Sequence, residues 1–200
     1  MNMDTPIQLE KFCVDYARKL GDVLASSDWS GVVQLGQEMR DCWAAGQQVF
    51  FCGNGGSAGN AIHLANDFLY GIAKRTGGGM KVQALSANPA VITCLANDVG
   101  YDHIYSEQLA VLGQPGDLLV VLSGSGNSPN ILRVLEQAKT MSVKSCAILG
   151  YTGGRCKSLA DLAIHFPVDD MQVAEDMQLV VGHILMKWLY QNPPQVRSLL

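Results

Sequence analysis

The apolar positions of this chain follow two rhythms, one with a helical period and one nearly continuous over short runs. Residues 5–25 place Leu9, Phe12, Cys13, Tyr16, Leu20, Val23 and Leu24 on one stripe, which predicts an amphipathic helix. Ser30 is expected to cap a second helix reaching about Ala45. Beyond it, apolar runs at 48–52, 81–85, 118–122, 143–149 and 162–166 read as strands. Their near-continuous hydrophobicity is that of parallel strands buried on both faces. Helical stretches separate them at about 58–72, 89–96, 102–112, 128–140 and 173–191. The alternation predicts an α/β fold, a doubly wound three-layer sandwich on a five-stranded parallel sheet, preceded by N-terminal helices. No repeat, low-complexity segment or linker divides the chain, so 1–200 reads as one domain, with a helical pair at 1–46 and an α/β core at 47–200. The sandwich does not itself require the leading pair. Its apolar stripe must be buried against the sheet's helices or against another subunit, and an oligomer is the preferred expectation.

Composition narrows the class. Two hundred residues with 48% hydrophobic content suit one substantial core. A net charge of −4 carries no electrostatic footprint for nucleic acid or an anionic membrane. No apolar run approaches the roughly 18 residues that span a bilayer. Met1-Asn2-Met3-Asp4-Thr5 lacks the basic-then-apolar start of a signal peptide. Six cysteines (Cys13, Cys42, Cys52, Cys94, Cys146, Cys156) form no CxxC pair, and Cys52 and Cys146 sit in strand-like runs as small hydrophobes. A reducing cytoplasm is the expected location.

Two loops carry the strongest chemical signal. Gly53-Asn54-Gly55-Gly56-Ser57 follows the first strand and Ser123-Gly124-Ser125-Gly126-Asn127-Ser128 follows the third, and each opens a helix. Glycines let backbone N–H groups approach an anion, a helix N-terminus adds partial positive charge, and serine hydroxyls add donors. In doubly wound sheets, ligands bind outside the carboxyl ends of strands where the strand order switches. One such loop is as well explained by ordinary turn chemistry. Two at the same end of one sheet point to a phosphorylated small molecule. The first loop formally matches the dinucleotide fingerprint, but the next strand ends in Ser86 where a ribose-holding acid is needed, so no nucleotide cofactor is expected. Gly153-Gly154-Arg155-Cys156-Lys157-Ser158 has the wrong spacing for a Walker A loop.

Other chemistry sits on the helices. His63 and Asp67 are four apart and share a helix face, as a metal-ligand pair, an acid/base pair or a plain surface pair would. Glu175, Asp176 and His183 lie on the last helix, where acids in a first turn often only complement the dipole. Along one continuous helix Glu175 and His183 are roughly 12 Å apart, too far to ligate one ion. If both serve one site, a second subunit supplies one of them, or the helix starts after Glu175. Asn97-Asp98-Val99-Gly100 is a turn signal first.

Taken together, Cys52-Gly53-Asn54-Gly55-Gly56-Ser57, the His63-to-Asp67 helix, Ala96-Asn97-Asp98-Val99-Gly100, Gly116-Asp117-Leu118, Ser123-Gly124-Ser125-Gly126-Asn127-Ser128 and His183-Ile184-Leu185 resemble the sugar isomerase (SIS) fold, and within it the phosphoheptose isomerases. The resemblance covers nearly the whole chain. It implies a homotetramer with active sites between subunits, converting sedoheptulose 7-phosphate to a heptose 7-phosphate. By position it implies that Ser123, Gly124, Ser125 and Ser128 hold the phosphate. Asn54, Gly55, Gly56, Ser57, Asn97 and Asp98 would contact substrate. His63, Asp67, Glu175 and His183 would occupy the zinc-ligand and acid/base positions, one zinc per site. The chain departs from the family in having Asp67 in place of the usual glutamate and Glu175 in place of the usual glutamine. Asp67 (or Glu175) as base and His183 as acid would run the isomerisation through an enediol. Two rival expectations are an isomerase of another sugar phosphate and a non-catalytic regulatory protein of the kind that binds the replication initiator.

Overall fold

The computed structural model describes residues 5–194; Met1–Asp4, part of the segment read for a leader, lie outside the described residues. Two helices lead, α1 (Thr5–Ser26) and α2 (Ser30–Ala44), and five strands follow with helices between them. In chain order these are β1 (Gln48–Gly53), α3 (Gly56–Asn66), a π-helical turn (Asp67–Gly71), α4 (Ala73–Thr76), β2 (Lys81–Ala84) and α5 (Pro89–Asp98). Then come a 3-10 turn (Tyr101–His103), α6 (Ser106–Leu112), β3 (Leu118–Ser123), α7 (Pro129–Thr140), β4 (Lys144–Leu149), α8 (Cys156–Leu159), β5 (Leu162–His165) and α9 (Met171–Gln191).

All strands pair in parallel in the order β2-β1-β3-β4-β5. Successive side chains point to opposite faces, so continuously apolar strands must be covered on both. Val49, Phe51, Val120 and Ile148 face α2, α3 and α9 in one core; Phe50, Cys52, Val121 and Ala147 face the other core, with α6 and α7. The chain leaves β1 for β2 on one side and then returns to β3 on the other, so the strand order switches between β1 and β3. Gly53 pairs with Leu122 there, which sets the two glycine–serine loops side by side at the strand carboxyl ends.

Four details differ from the sequence reading. Ser30 does not cap α2: the helix starts at Ser30, and the Asp28 carboxylate accepts from its N–H (2.9 Å) and its hydroxyl (2.8 Å). The expected helix 58–72 begins at Gly56 and is broken by the π-helical turn, where the Ile72 N–H reaches back five residues to Asp67 O. Asn97 and Asp98 end α5 as helical residues, and the turn comes after them at Gly100, φ +114°. Helix α9 starts at Met171 with Asp170 as its cap, accepting from the N–H groups of Gln172 and Val173, so Glu175 and Asp176 lie beyond the first turn and the helix does not start after Glu175.

The leading pair is largely absorbed by the fold. Helix α2 buries Val32, Leu35, Met39, Cys42 and Trp43 in the core. The second half of α1 packs through Leu20, Val23 and Leu24. Tyr16 donates to the Asp176 carboxylate at 2.5 Å, and that bond pushes the phenol up to about 12. The first half of α1 leaves Leu9 (63%) and Phe12 (67%) exposed.

Candidate active site

The first loop is shaped by its glycines. Gly55 adopts φ +56°, a left-handed conformation that costs glycine little, and α3 starts at the next residue. A Cβ on Gly53 would lie 2.7 Å from the Ser57 carbonyl, so the strand can enter the helix this tightly only with glycine there. The buried Tyr105 hydroxyl donates to Gly53 O and anchors the loop from below, and burial pushes this phenol well above its usual range. In the second loop the Ser123 hydroxyl accepts from Gly126 N–H (3.1 Å), closing the turn on itself. Ser128 occupies the position before α7, but its side chain makes no capping bond and remains available to a ligand.

Between the loops lies a cavity of about 280 Å³, lined by Asn54, Gly55, Gly56, Ser57, Leu122, Ser123, Gly124, Ser125, Ser128, Met171 and Glu175. It has the size and the donor set for a phosphate with the start of a sugar chain. Nearly all the sequence-predicted phosphate and substrate contacts therefore meet in one place. Asn97 and Asp98 are not in this lining. Their side chains bond to each other (2.7 Å), and Asp98 also accepts from Cys94; these bonds hold its carboxyl below the usual range.

Ser57 is 4% exposed and accepts from Gln178 Nε2 (2.9 Å), while Asn60 donates to Gln178 Oε1 (3.0 Å) and to the Glu175 carbonyl (3.1 Å). This largely buried ladder ties α3 to α9 in parallel, start to start. It seats the Glu175 carboxylate against Gly56, where any side chain would collide with it. Farther along the same pair, a methyl on Gly182 would overlap the buried side chain of Leu64, so glycine there lets the helices run close.

At that far end His63, Asp67 and His183 converge. His63 Nε2 and His183 Nε2 are 3.0 Å apart, and Asp67 Oδ2 lies 3.5 Å from the first and 3.6 Å from the second. Tetrahedral zinc with bonds of about 2.0–2.2 Å separates its ligand atoms by about 3.3–3.6 Å. The two Asp67 edges match that spacing, and the shorter His–His edge needs the imidazoles to open by a few tenths of an ångström for the triangle to hold such an ion with one position left open. Two half-exposed imidazoles (48% and 49%) and a largely covered carboxylate (18%) give a ligand set that solvent and substrate can reach. Glu175 does not join it. The four expected ligands are not brought to one point within a chain, because α9 runs unbroken from Met171 and carries Glu175 to the phosphate end.

Three polar contributors escaped the sequence reading. Asn130, 1% exposed, exchanges two 2.8 Å hydrogen bonds with the Asn54 side chain, and Tyr101 donates to Asn54 Oδ1 (3.1 Å). Gln178 is the third. A buried amide within a helix has no local sequence signal; only Tyr101, beside the Gly100 turn, adjoined a motif already noted.

Comparison with known proteins converges on one family. Residues 13–150 match the SIS domain. A phosphoheptose isomerase from Akkermansia muciniphila is 40% identical over 154 residues, covering 77% of this chain and 81% of the relative. One from Rhodospirillum rubrum is 38% identical over 182 residues, covering 89% and 93%. The solved structure of a phosphoheptose isomerase from Francisella tularensis aligns with a TM-score of 0.86 at 25% identity, over 94% of this chain and 100% of that one. The Neisseria gonorrhoeae phosphoheptose isomerase, at 24% identity and a TM-score of 0.82 over 90% and 99%, shares the fold. With the sheet order, both loops and the coverage in agreement, the chain belongs to the SIS domain family and, within it, to the phosphoheptose isomerases.

Proposed function

We propose that this chain isomerises sedoheptulose 7-phosphate to D-glycero-D-manno-heptose 7-phosphate through an enediol. The observation that carries this reading is a phosphate-sized pocket at one end of the α3/α9 pair and a His–Asp–His cluster at the other. Seven residues of α3 separate Gly56 from His63, roughly 10 Å along the axis. A sugar phosphate that reacts at the carbons farthest from its phosphate suits that separation.

In this reading Ser123, Ser125, Ser128 and the loop N–H groups bind the phosphate, and Asn54, held by Asn130 and Tyr101, orients the sugar. Asp67 takes the proton from C1, next to the ketose carbonyl, and returns it to C2, since His183 Nε2, once it ligates a metal, carries no proton to deliver. Asp67 is preferred to Glu175 as base because it alone stands beside His183. Glu175 lies at the phosphate end and meets substrate hydroxyls. Zinc held by His63, Asp67 and His183 would polarise the carbonyl and make the neighbouring C–H more acidic.

Assembly as a homotetramer with sites between subunits belongs to the same proposal. It is supported by the exposed apolar start of α1 and by a three-ligand cluster whose fourth family position, Glu175, is roughly 12 Å away along α9. A cytoplasmic location rests on the absence of any helix, among the described residues, long and apolar enough to cross a membrane, and on six unpaired cysteines.

The shortened Asp67 and the anionic Glu175 give weight to a second reading, an isomerase of a different sugar phosphate. Measuring kcat/KM on phosphorylated pentoses, hexoses and heptoses separates the two. The heptulose is expected to lead; a clearly higher value on a shorter sugar overturns the heptose assignment.

A further inference from the structure

A second cavity of about 510 Å³ opens on the far side of Asp67 from the glycine–serine pocket. Its walls come from the π-helical turn, α4 and the end of α9, and they carry Lys74, Arg75 and Lys187. Among the described residues none of these three forms an ion pair. Instead Lys74 Nζ sits 4.8 Å from the centre of the Tyr70 ring, and the Arg75 guanidinium lies 4.6 Å over Tyr190 while donating to its hydroxyl. A π face holds a cation in place without neutralising it, and among the described residues the Arg75 guanidinium donates only to Tyr190. The one carboxylate in the lining, Asp67, is turned toward the two histidines. Three cations in one concavity, without an ion pair among the described residues, are a marked local excess in a chain of net charge −4.

This cavity is distinct from the first phosphate pocket. Gly56 and Asp67 are eleven residues apart on α3 and its continuation, roughly 16 Å by helical rise. The π-helical turn helps create it. Widening the helix at Asp67–Gly71 shifts Tyr70 and Lys74 relative to α9, and Gly71 faces Met186 so closely that a Cβ would lie 2.9 Å from its Cε. Such turns often mark functional positions.

We propose that the Lys74/Arg75/Lys187 cavity is a second anion site that binds a phosphoryl group, either free phosphate or that of a small phosphate ester. Arg75 gives planar, forked donors, and the two lysines supply point charges at the rim.

Thermal unfolding with added inorganic phosphate tests this, with potassium chloride at equal ionic strength as the baseline. The background is Ser125→Ala/Ser128→Ala, which disables the glycine–serine pocket. Phosphate at ten times its Kd is expected to raise Tm by about 3 °C or more in that background. Adding Lys74→Gln/Arg75→Gln/Lys187→Gln is expected to abolish the rise, while Tm without phosphate and the circular dichroism spectrum show that the variant is folded. No rise in the serine background, or a rise that survives the three glutamines, overturns the site. AMP distinguishes the sources: half-saturation at least tenfold below that of phosphate assigns the site to phosphate esters, and equal half-saturation assigns it to the free anion.

Discussion

At the residue scale the site depends on a few side chains whose alternatives are closed off. Asp67 is the only carboxylate in the described metal-ligand cluster and, among the described residues, has neither an arginine nor a lysine within ion-pair distance. Asp67→Asn keeps the shape and removes the proton acceptor, so kcat should fall by about 10²-fold or more. A variant that keeps full turnover on sedoheptulose 7-phosphate would remove Asp67 from the base role. Asp170 shows residue-scale electrostatics of a structural kind. The Lys19 ammonium at 2.6 Å, together with the Val173 and Gln172 N–H groups, holds its carboxyl below the ordinary range. A carboxyl depressed on folding contributes stability above its unfolded value of 3.8 and loses it as pH falls through the lower folded value. The stability gap between wild type and Asp170→Asn, read by denaturant unfolding, should therefore be constant near neutrality and close below pH 3.8. At this scale the sequence exposed the residues that repeat a motif. It hid Asn130 and Gln178, whose importance comes from burial next to Asn54 and Ser57.

At the element scale the close parallel run of α3 and α9 sets the geometry of the candidate site. Gly182 faces Leu64, and Asn60 and Gln178 zip the helix starts together, which brings His63 to His183 one turn later. Gly182→Ala adds a methyl where the buried Leu64 cannot yield. It should cost about 1–3 kcal/mol of stability by overpacking and weaken zinc binding by spreading the two imidazoles. Denaturant unfolding and zinc titration of the folded variant read the two effects; unchanged zinc affinity would mean the helix spacing does not set the site. The strands and both loops were legible because apolar runs followed by Gly/Ser have one sensible reading in an α/β chain. The π-helical turn was not, since it arises where α3 meets Met186 and the end of α9 and leaves no mark in the local pattern. The separation of Glu175 from His183 was legible from helical rise alone. That Glu175 would go to the phosphate end required knowing that the two helices are parallel.

At the scale of the whole molecule, the order β2-β1-β3-β4-β5 does most of the work. It sets the two glycine–serine loops beside each other at the switch point and sends α3 and α7 to opposite faces, leaving the crevice between them. The family follows from that frame and from the relatives. What the frame alone does not specify is the reacting end, for which the His63–Asp67–His183 cluster is the proposed site. The most direct test is turnover of sedoheptulose 7-phosphate by metal-stripped protein, with and without added zinc. Negligible isomerisation when stripped, restored by about one zinc per chain, is the result this account predicts. Equal turnover in both conditions would contradict the metal assignment, and no turnover in either would contradict the reaction.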